Sequence, residues 1–160
     1  MLRRNRFTVV SLAAVLVLGS ACSSGSSKST PPTTTVPGVT KASYVIQANA
    51  LCTTMNRRVA ALGKPGRDPV RVAALIDQVS AIVRPTLAKL RALPVPAGEG
   101  PKLATVYATV DKALADSAAF SAAMRGTNRQ VAIAAGKKLD AAQARANAAS
   151  IKYGLTVCGS

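Results

Sequence analysis

The chain has no histidine and no tryptophan, aromatics make up only 3% of it, and six acids face 21 basic residues. Each shortage excludes something. Without histidine there can be no Ser-His-Asp or Cys-His nucleophile system, and the commonest general base and metal ligand are both missing. With so few aromatics there is no stacking platform for single-stranded nucleic acid. There is no Cys-x-x-Cys and no glycine-rich phosphate loop. The six acids, Asp68, Asp77, Glu99, Asp111, Asp116 and Asp140, do not form a paired-carboxylate motif. Asp68 reads as a helix cap and Glu99 as a loop residue. Asp111 and Asp116, five apart, fall on different helix faces, and surface ion pairs are the expected use of the acids.

What is present is a small-residue apolar composition. Apolar residues reach 49%, much of it alanine. Alanine is the best helix former and a poor strand former, so an all-helical domain with close helix contacts is expected. The net charge is +15. Removal of Arg3, Arg4 and Arg6 with the leader described below would leave 18 basic residues against the six acids, a net +12. Charge of that size favours anionic neighbours such as lipid headgroups, wall polymers or acidic proteins.

The first 22 residues divide into a basic start, Met1 to Arg6, an apolar run from Phe7 to Leu18 broken only by Thr8 and Ser11, and Leu18-Gly19-Ser20-Ala21-Cys22. Spanning a bilayer takes about 20 apolar residues. Twelve fit the apolar region of a cleaved export signal. The last five residues resemble the bacterial lipobox, with leucine one step further from the cysteine than usual. The resemblance implies a signal peptide over residues 1–21 and lipid on Cys22. Several acyl chains would then hold the protein durably without a transmembrane helix. Plain secretion is the alternative.

Residues 22–40 read as a disordered tether. Of the 18 residues from Ser23 to Thr40, ten are Ser or Thr and three are Pro, a composition that cannot bury a core. A flexible coil of this length spans about 23 Å.

Residues 41–160 carry four helical periodicities joined by short loops, which predicts an antiparallel four-helix bundle. The first helix runs from about Ser43 to Leu62, with Val45, Ala48, Cys52, Met55, Val59 and Leu62 inward. The second, capped by Asp68 with Pro69 at its first position, runs to about Leu93. Its inward stripe is Val72, Ile76, Val79, Val83, Leu87 and Leu90, and Pro85 should kink it. The third runs from about Pro101 to Arg125. Its stripe is Leu103, Val106, Val110, Ala113, Ser117, Phe120 and Met124, flanked by Tyr107 and Leu114. The fourth is capped by Thr127 or Asn128 and ends at Tyr153. Gly154 is then a left-handed cap, with Leu155 folding back.

Cys52 and Cys158 remain after Cys22. Two thiols in an oxidising compartment pair by default. In an up-down-up-down bundle the tail beyond Gly154 returns along the first helix, far enough for Cys158 to meet inward-facing Cys52.

Ala48-Asn49-Ala50-Leu51-Cys52 and Tyr153-Gly154-Leu155-Thr156-Val157-Cys158-Gly159 resemble short motifs at the two ends of small actinobacterial lipoproteins of unknown function. That resemblance implies a stapled helical fold and a cell-envelope home, on the outer face of the cytoplasmic membrane. It carries no activity.

The expected function is therefore a non-enzymatic binding or interaction module with no cofactor, no metal and no nucleic acid. Its partners would be the membrane, through Cys22, and an anionic lipid, a wall polymer or an envelope protein. The alternative is a small-ligand or lipid carrier, with a pocket opened by Pro85 and lined by Tyr107, Phe120 and Met124.

Overall fold

Backbone amides at a helix start need acceptors, and three side chains supply them where a helix begins. In the computed structural model, which describes residues 38–160, Thr40 Oγ1 accepts from the Ser43 amide at 3.1 Å. Asp68 accepts from Val70 at 2.9 Å, and Asn128 accepts from Gln130 and Val131. The expected signal segment, Cys22 and the tether up to residue 37 lie outside the described residues.

Four α-helices follow, and no strand occurs among the described residues: α1 (Lys41–Ala60), α2 (Pro69–Arg91), α3 (Gly100–Arg125) and α4 (Arg129–Tyr153). No helix among the described residues is long and apolar enough to cross a membrane.

The helix α1 begins two residues before the expected start because Thr40, counted with the tether, is its cap. It stops at Ala60, where Leu62 and Gly63 turn back on the carbonyls three residues earlier and Gly63 takes φ 77°. Pro85 lies within the continuous α2 and is exposed. Glu99 lies in the loop just before α3, as expected. Its carbonyl accepts from the Leu103 amide at the start of α3.

The end of α4 is a Schellman turn. Gly154 sits at φ 110°, the Leu155 amide reaches the Ser150 carbonyl at 2.9 Å, and the Gly154 amide reaches Ile151 at 2.9 Å. Leu155 is thereby turned inward and is 1% exposed. Burying such a side chain is worth about 1.5–3 kcal/mol.

The helices form a bundle in which α1 packs on α2, α2 on α3 and α3 on α4. No close backbone approach joins α1 to α4 or α2 to α4. The chain beyond Gly154 occupies the α1–α4 side. Asn56 Nδ2 donates to the Val157 carbonyl at 2.9 Å, and the Val157 amide donates to Asn49 Oδ1 at 3.2 Å. Cys158 is bonded to Cys52, with Cα atoms 5.1 Å apart. The expected disulfide is present, and it fixes the tail against α1.

The main core lies at the end of the bundle where α1 begins and α2 and α4 finish. Tyr44, Ala48, Leu90, Leu103, Tyr153 and Leu155 meet there. Tyr44 and Tyr153 stack edge to face at 6.1 Å.

Candidate functional site

A helix face made only of small and branched apolar side chains packs densely where a second helix lies close. Where none does, it leaves space. Between α2 and α4 there is no helix contact, and a cavity of about 180 Å³ is walled mainly by α2, α3 and α4. Every helix contributes to its wall: Met55 from α1, Val79 and Val83 from α2, Val106 and Val110 from α3, Ala146 from α4. Leu155 and the Cys52–Cys158 disulfide close one side.

The cavity explains a departure from the expected core. The stripe predicted for α2 is centred on Val79 and Val83, yet both are only half-buried, while Ala73 and Ile82 beside it are buried. Val79 and Val83 face the cavity, and so do half-buried Met55, Val110 and Ala113. The periodicity found the inward face. What it could not show is that the inward face meets empty space.

Tyr107 is the cavity's one titratable side chain. Its polar groups are hydroxyls and amides, including Ser80, Thr86, Gln143 and Asn147. Gln143 and Asn147 are exposed, which puts the opening on their side. A wall of this kind can exclude water and hold an uncharged apolar group. It contains no nucleophile–base pair. An engineered apolar cavity of about 150 Å³ stays dry and takes benzene or xenon, so this one has room for a group of that size.

The pocket expected between α2 and α3 is corrected in two respects. Tyr107 does line the cavity, but Phe120 and Met124 line a separate hollow with Ala132 and Gly136 of α4. Pro85 lines neither. The physical reason is that α3 and α4 pack closely, which sets Phe120 against Gly136. A Cβ placed on Gly136 would lie 3.3 Å from the Phe120 ring.

A tyrosine cluster adjoins the cavity through Tyr107. Tyr107 donates to the Leu90 carbonyl at 3.0 Å, and the Tyr44 and Tyr107 hydroxyls are hydrogen-bonded. Burial pushes the Tyr44 phenol far up, and the bond to Tyr107 adds to that. Tyr153 is pushed up to about 12, by burial first and then by the nearby negative charge of Glu99. Lys102 Nζ, 2.7 Å from Glu99 Oε1, holds the Glu99 carboxyl below its usual range, with Lys41 assisting from 3.8 Å. Lys41 also lies over the Tyr153 ring at 4.5 Å.

The remaining acids form pairs. Asp77 accepts from Ser121 Oγ at 2.6 Å and pairs with Arg125; the Ser121 bond, then Arg125, holds its carboxyl below the usual range. Asp111 pairs with Arg91 at 2.6 Å. Asp116 pairs with Lys112 but is 8% exposed, so it is not the surface acid expected. Among the described residues, no group of three metal-ligating side chains gathers.

Sequence reasoning passed over Tyr44, Ser121 and the burial of Asp116. Tyr44 stands four before Ala48 and eight before Cys52, a helical spacing that would have placed it on the α1 stripe. Lys112 and Asp116, four apart, give the pair but not its depth. No protein-family model, no curated protein and no solved structure matches the chain.

Proposed function

We propose that the chain is an exported lipoprotein whose helical domain is a non-enzymatic binding module for a small, uncharged, apolar ligand. The observation that carries the ligand reading is the cavity of about 180 Å³ walled by apolar residues of all four helices, with Tyr107 as its one titratable side chain. Half-buried valines around an open space are what a carrier needs and what a purely structural core avoids, because each unfilled contact forfeits dispersion energy.

The carrier reading includes an up-down-up-down antiparallel order. It is supported by the pairing of the end of α2 with the middle of α3 through Arg91 and Asp111, and of the first half of α2 with the end of α3 through Asp77 and Arg125. It is supported too by Tyr44 at the start of α1 packing on Tyr153 at the end of α4. That order places the tail beside α1 and makes the disulfide part of the cavity wall.

The envelope location rests on residues 1–22, with their basic start, short apolar run and Cys22. Lipid on Cys22 and the Ser/Thr/Pro tether would hold the module near the membrane surface, on the outer face. Mass spectrometry of the mature N-terminus tests this. A diacylglyceryl mass on Cys22 supports it, and an unmodified cysteine defeats it.

The binding claim is tested by calorimetric titration of the full chain with benzene. Ala113, half-buried on the cavity wall, gives the control: Ala113→Phe fills the space. Saturable binding by the unaltered chain and none by the variant supports the carrier reading. No binding by either refutes it.

A further inference from the structure

The polar side chains around the cavity divide into two kinds. Those of α2 and α3, apart from Ser80, are spent within the protein. Thr86 Oγ1 donates to the Ile82 carbonyl at 3.1 Å, Ser117 Oγ donates to the Ala113 carbonyl at 2.8 Å, and the Tyr107 hydroxyl is bonded to the Leu90 carbonyl. Those of α4 are not. Gln143, Asn147 and Ser150 line the cavity, and their side chains make no hydrogen bond among the described residues. They stand four and three apart, which sets them on one face of α4. From Gln143 to Ser150 the row runs seven residues, about 10.5 Å.

This row passes from the mouth into the interior. Gln143 and Asn147 are exposed, whereas Ser150 is 4% exposed. Among the described residues, the side-chain atoms fully enclosed without a partner are Glu99 Oε2, Asp116 Oδ2 and Tyr153 Oη. Ser150 Oγ is not one of them, so it keeps accessible surface, and the space that Ser150 lines is this cavity. An unpartnered hydroxyl on so deeply buried a residue requires an explanation, since buried polar groups are nearly always paired. Across the cavity, Val79, Val83, Val106, Val110 and Leu114 offer it no bond. No contact between α2 and α4 closes the gap.

The two walls limit what could fill the space. One side takes an apolar body. The other needs a group that hydrogen-bonds. No Asp, Glu, Lys or Arg lines the cavity, so an ionised group would be desolvated there without a counter-charge. A hydroxyl is neutral and both donates and accepts, as Ser150 does. We infer that the cavity selects a neutral amphiphile, an aryl or short-chain alcohol, with its apolar body against the valines of α2 and α3 and its hydroxyl on Ser150 and Asn147 of α4. The assignment rests on the carrier reading of the same cavity and names the class of molecule carried.

Calorimetric titration of the full chain with benzyl alcohol and with ethylbenzene tests it. The two ligands have nearly the same shape, with a hydroxyl in one where the other has a methyl. The unaltered chain should bind both saturably. Ser150→Ala should weaken benzyl alcohol by about fivefold or more, because the buried ligand hydroxyl loses its partner, and should leave ethylbenzene within about twofold. Asn147→Ala, an exposed substitution at the mouth, should shift the ratio of affinities in the same direction by about twofold to threefold. Ser117→Ala should move both ligands in parallel, because that hydroxyl is already bonded to Ala113. Benzoate and benzylammonium, the ionised counterparts, should bind about tenfold or more weakly than the alcohol. An unchanged ratio in both α4 variants, with ethylbenzene still bound, overturns the hydroxyl site and leaves the carrier reading standing. Binding of ethylbenzene without binding of benzyl alcohol does the same. A selective loss of the alcohol in Ser117→Ala would move the polar contact off α4 and overturn the assignment. Charged probes that bind as tightly as the alcohol would overturn the requirement for a neutral group. Binding of neither ligand overturns this assignment and the carrier reading together.

Discussion

The Tyr44 and Tyr107 hydroxyls are hydrogen-bonded to each other over the Leu90 carbonyl, so one acceptor near the end of α2 ties α1 to α3. Each hydroxyl has one proton. One of the two therefore donates to Leu90 and the other to its partner hydroxyl. Tyr44→Phe then removes a single buried bond and should cost about 1 kcal/mol. Tyr44→Ala also empties the space of a ring that is 1% exposed and should cost about 3–5 kcal/mol. Urea unfolding of the two variants measures both.

The disulfide closes a loop of sequence separation 106. The chain-entropy account gives about 4–5 kcal/mol for a loop of that length, a large share of a small domain's stability. Reduction, or Cys52→Ser with Cys158→Ser, should lower Tm substantially. It should also free the tail from Asn49 and Asn56, whose hydrogen bonds hold it against α1. Because the bridge forms part of the cavity wall, the reduced protein should bind benzene more weakly even where it stays folded. Thermal scans and titrations with and without reductant check this.

In the tail, two glycines are fixed by geometry. Gly154 adopts φ 110°, so Gly154→Ala should cost about 1 kcal/mol through backbone strain. Gly159 has a different reason. A Cβ there would come within 2.7 Å of an Ile151 side-chain carbon and 2.8 Å of the Asn147 carbonyl oxygen, and a helix carbonyl cannot easily move aside. Gly159→Ala should therefore lift the end of the tail off α4. Faster hydrogen exchange at Cys158 and Gly159 would report it.

Acid should weaken the fold. Asp77 and Glu99 have folded-state pKa values below their unfolded ones, so their contribution is complete above about pH 5. It is lost as pH falls through the lowered values. Arg125→Ala should flatten that acid slope by removing one cause of the Asp77 shift. At the other extreme Tyr153 is raised to about 12, so its contribution is full below about pH 10 and is lost as pH rises through that value. Tm measured from pH 2 to 12 tests both signs.

Much of the fold was legible in the sequence because its signals are local. Asp68 with Pro69, Asn128 and Gly154 mark helix ends through bonds made within a few residues, and they appear where expected. The cysteine pair was legible by elimination and by the direction of the tail. The cavity was not, because it depends on how far apart α2 and α4 stand, and no periodicity encodes that distance. Val79 and Val83 look the same in sequence whether they meet a neighbour or a void. Phe120 and Met124 were placed in the wrong hollow for the same reason, since their facing partner is Gly136 of α4. The depth of Asp116 was hidden too: i,i+4 spacing to Lys112 gives the pair on an exposed helix face or a covered one.

The central claim is that the cavity behind Val79, Val83 and Val110 takes an uncharged apolar guest. Xenon titration followed by methyl NMR of the full chain tests it most directly. The account predicts saturable shifts at the Val79, Val83, Val110 and Leu114 methyls, abolished by Ala113→Phe and absent from exposed Ile46 and Val70. Shifts of equal size at Ile46 and Val70, or none at the cavity methyls, would contradict it.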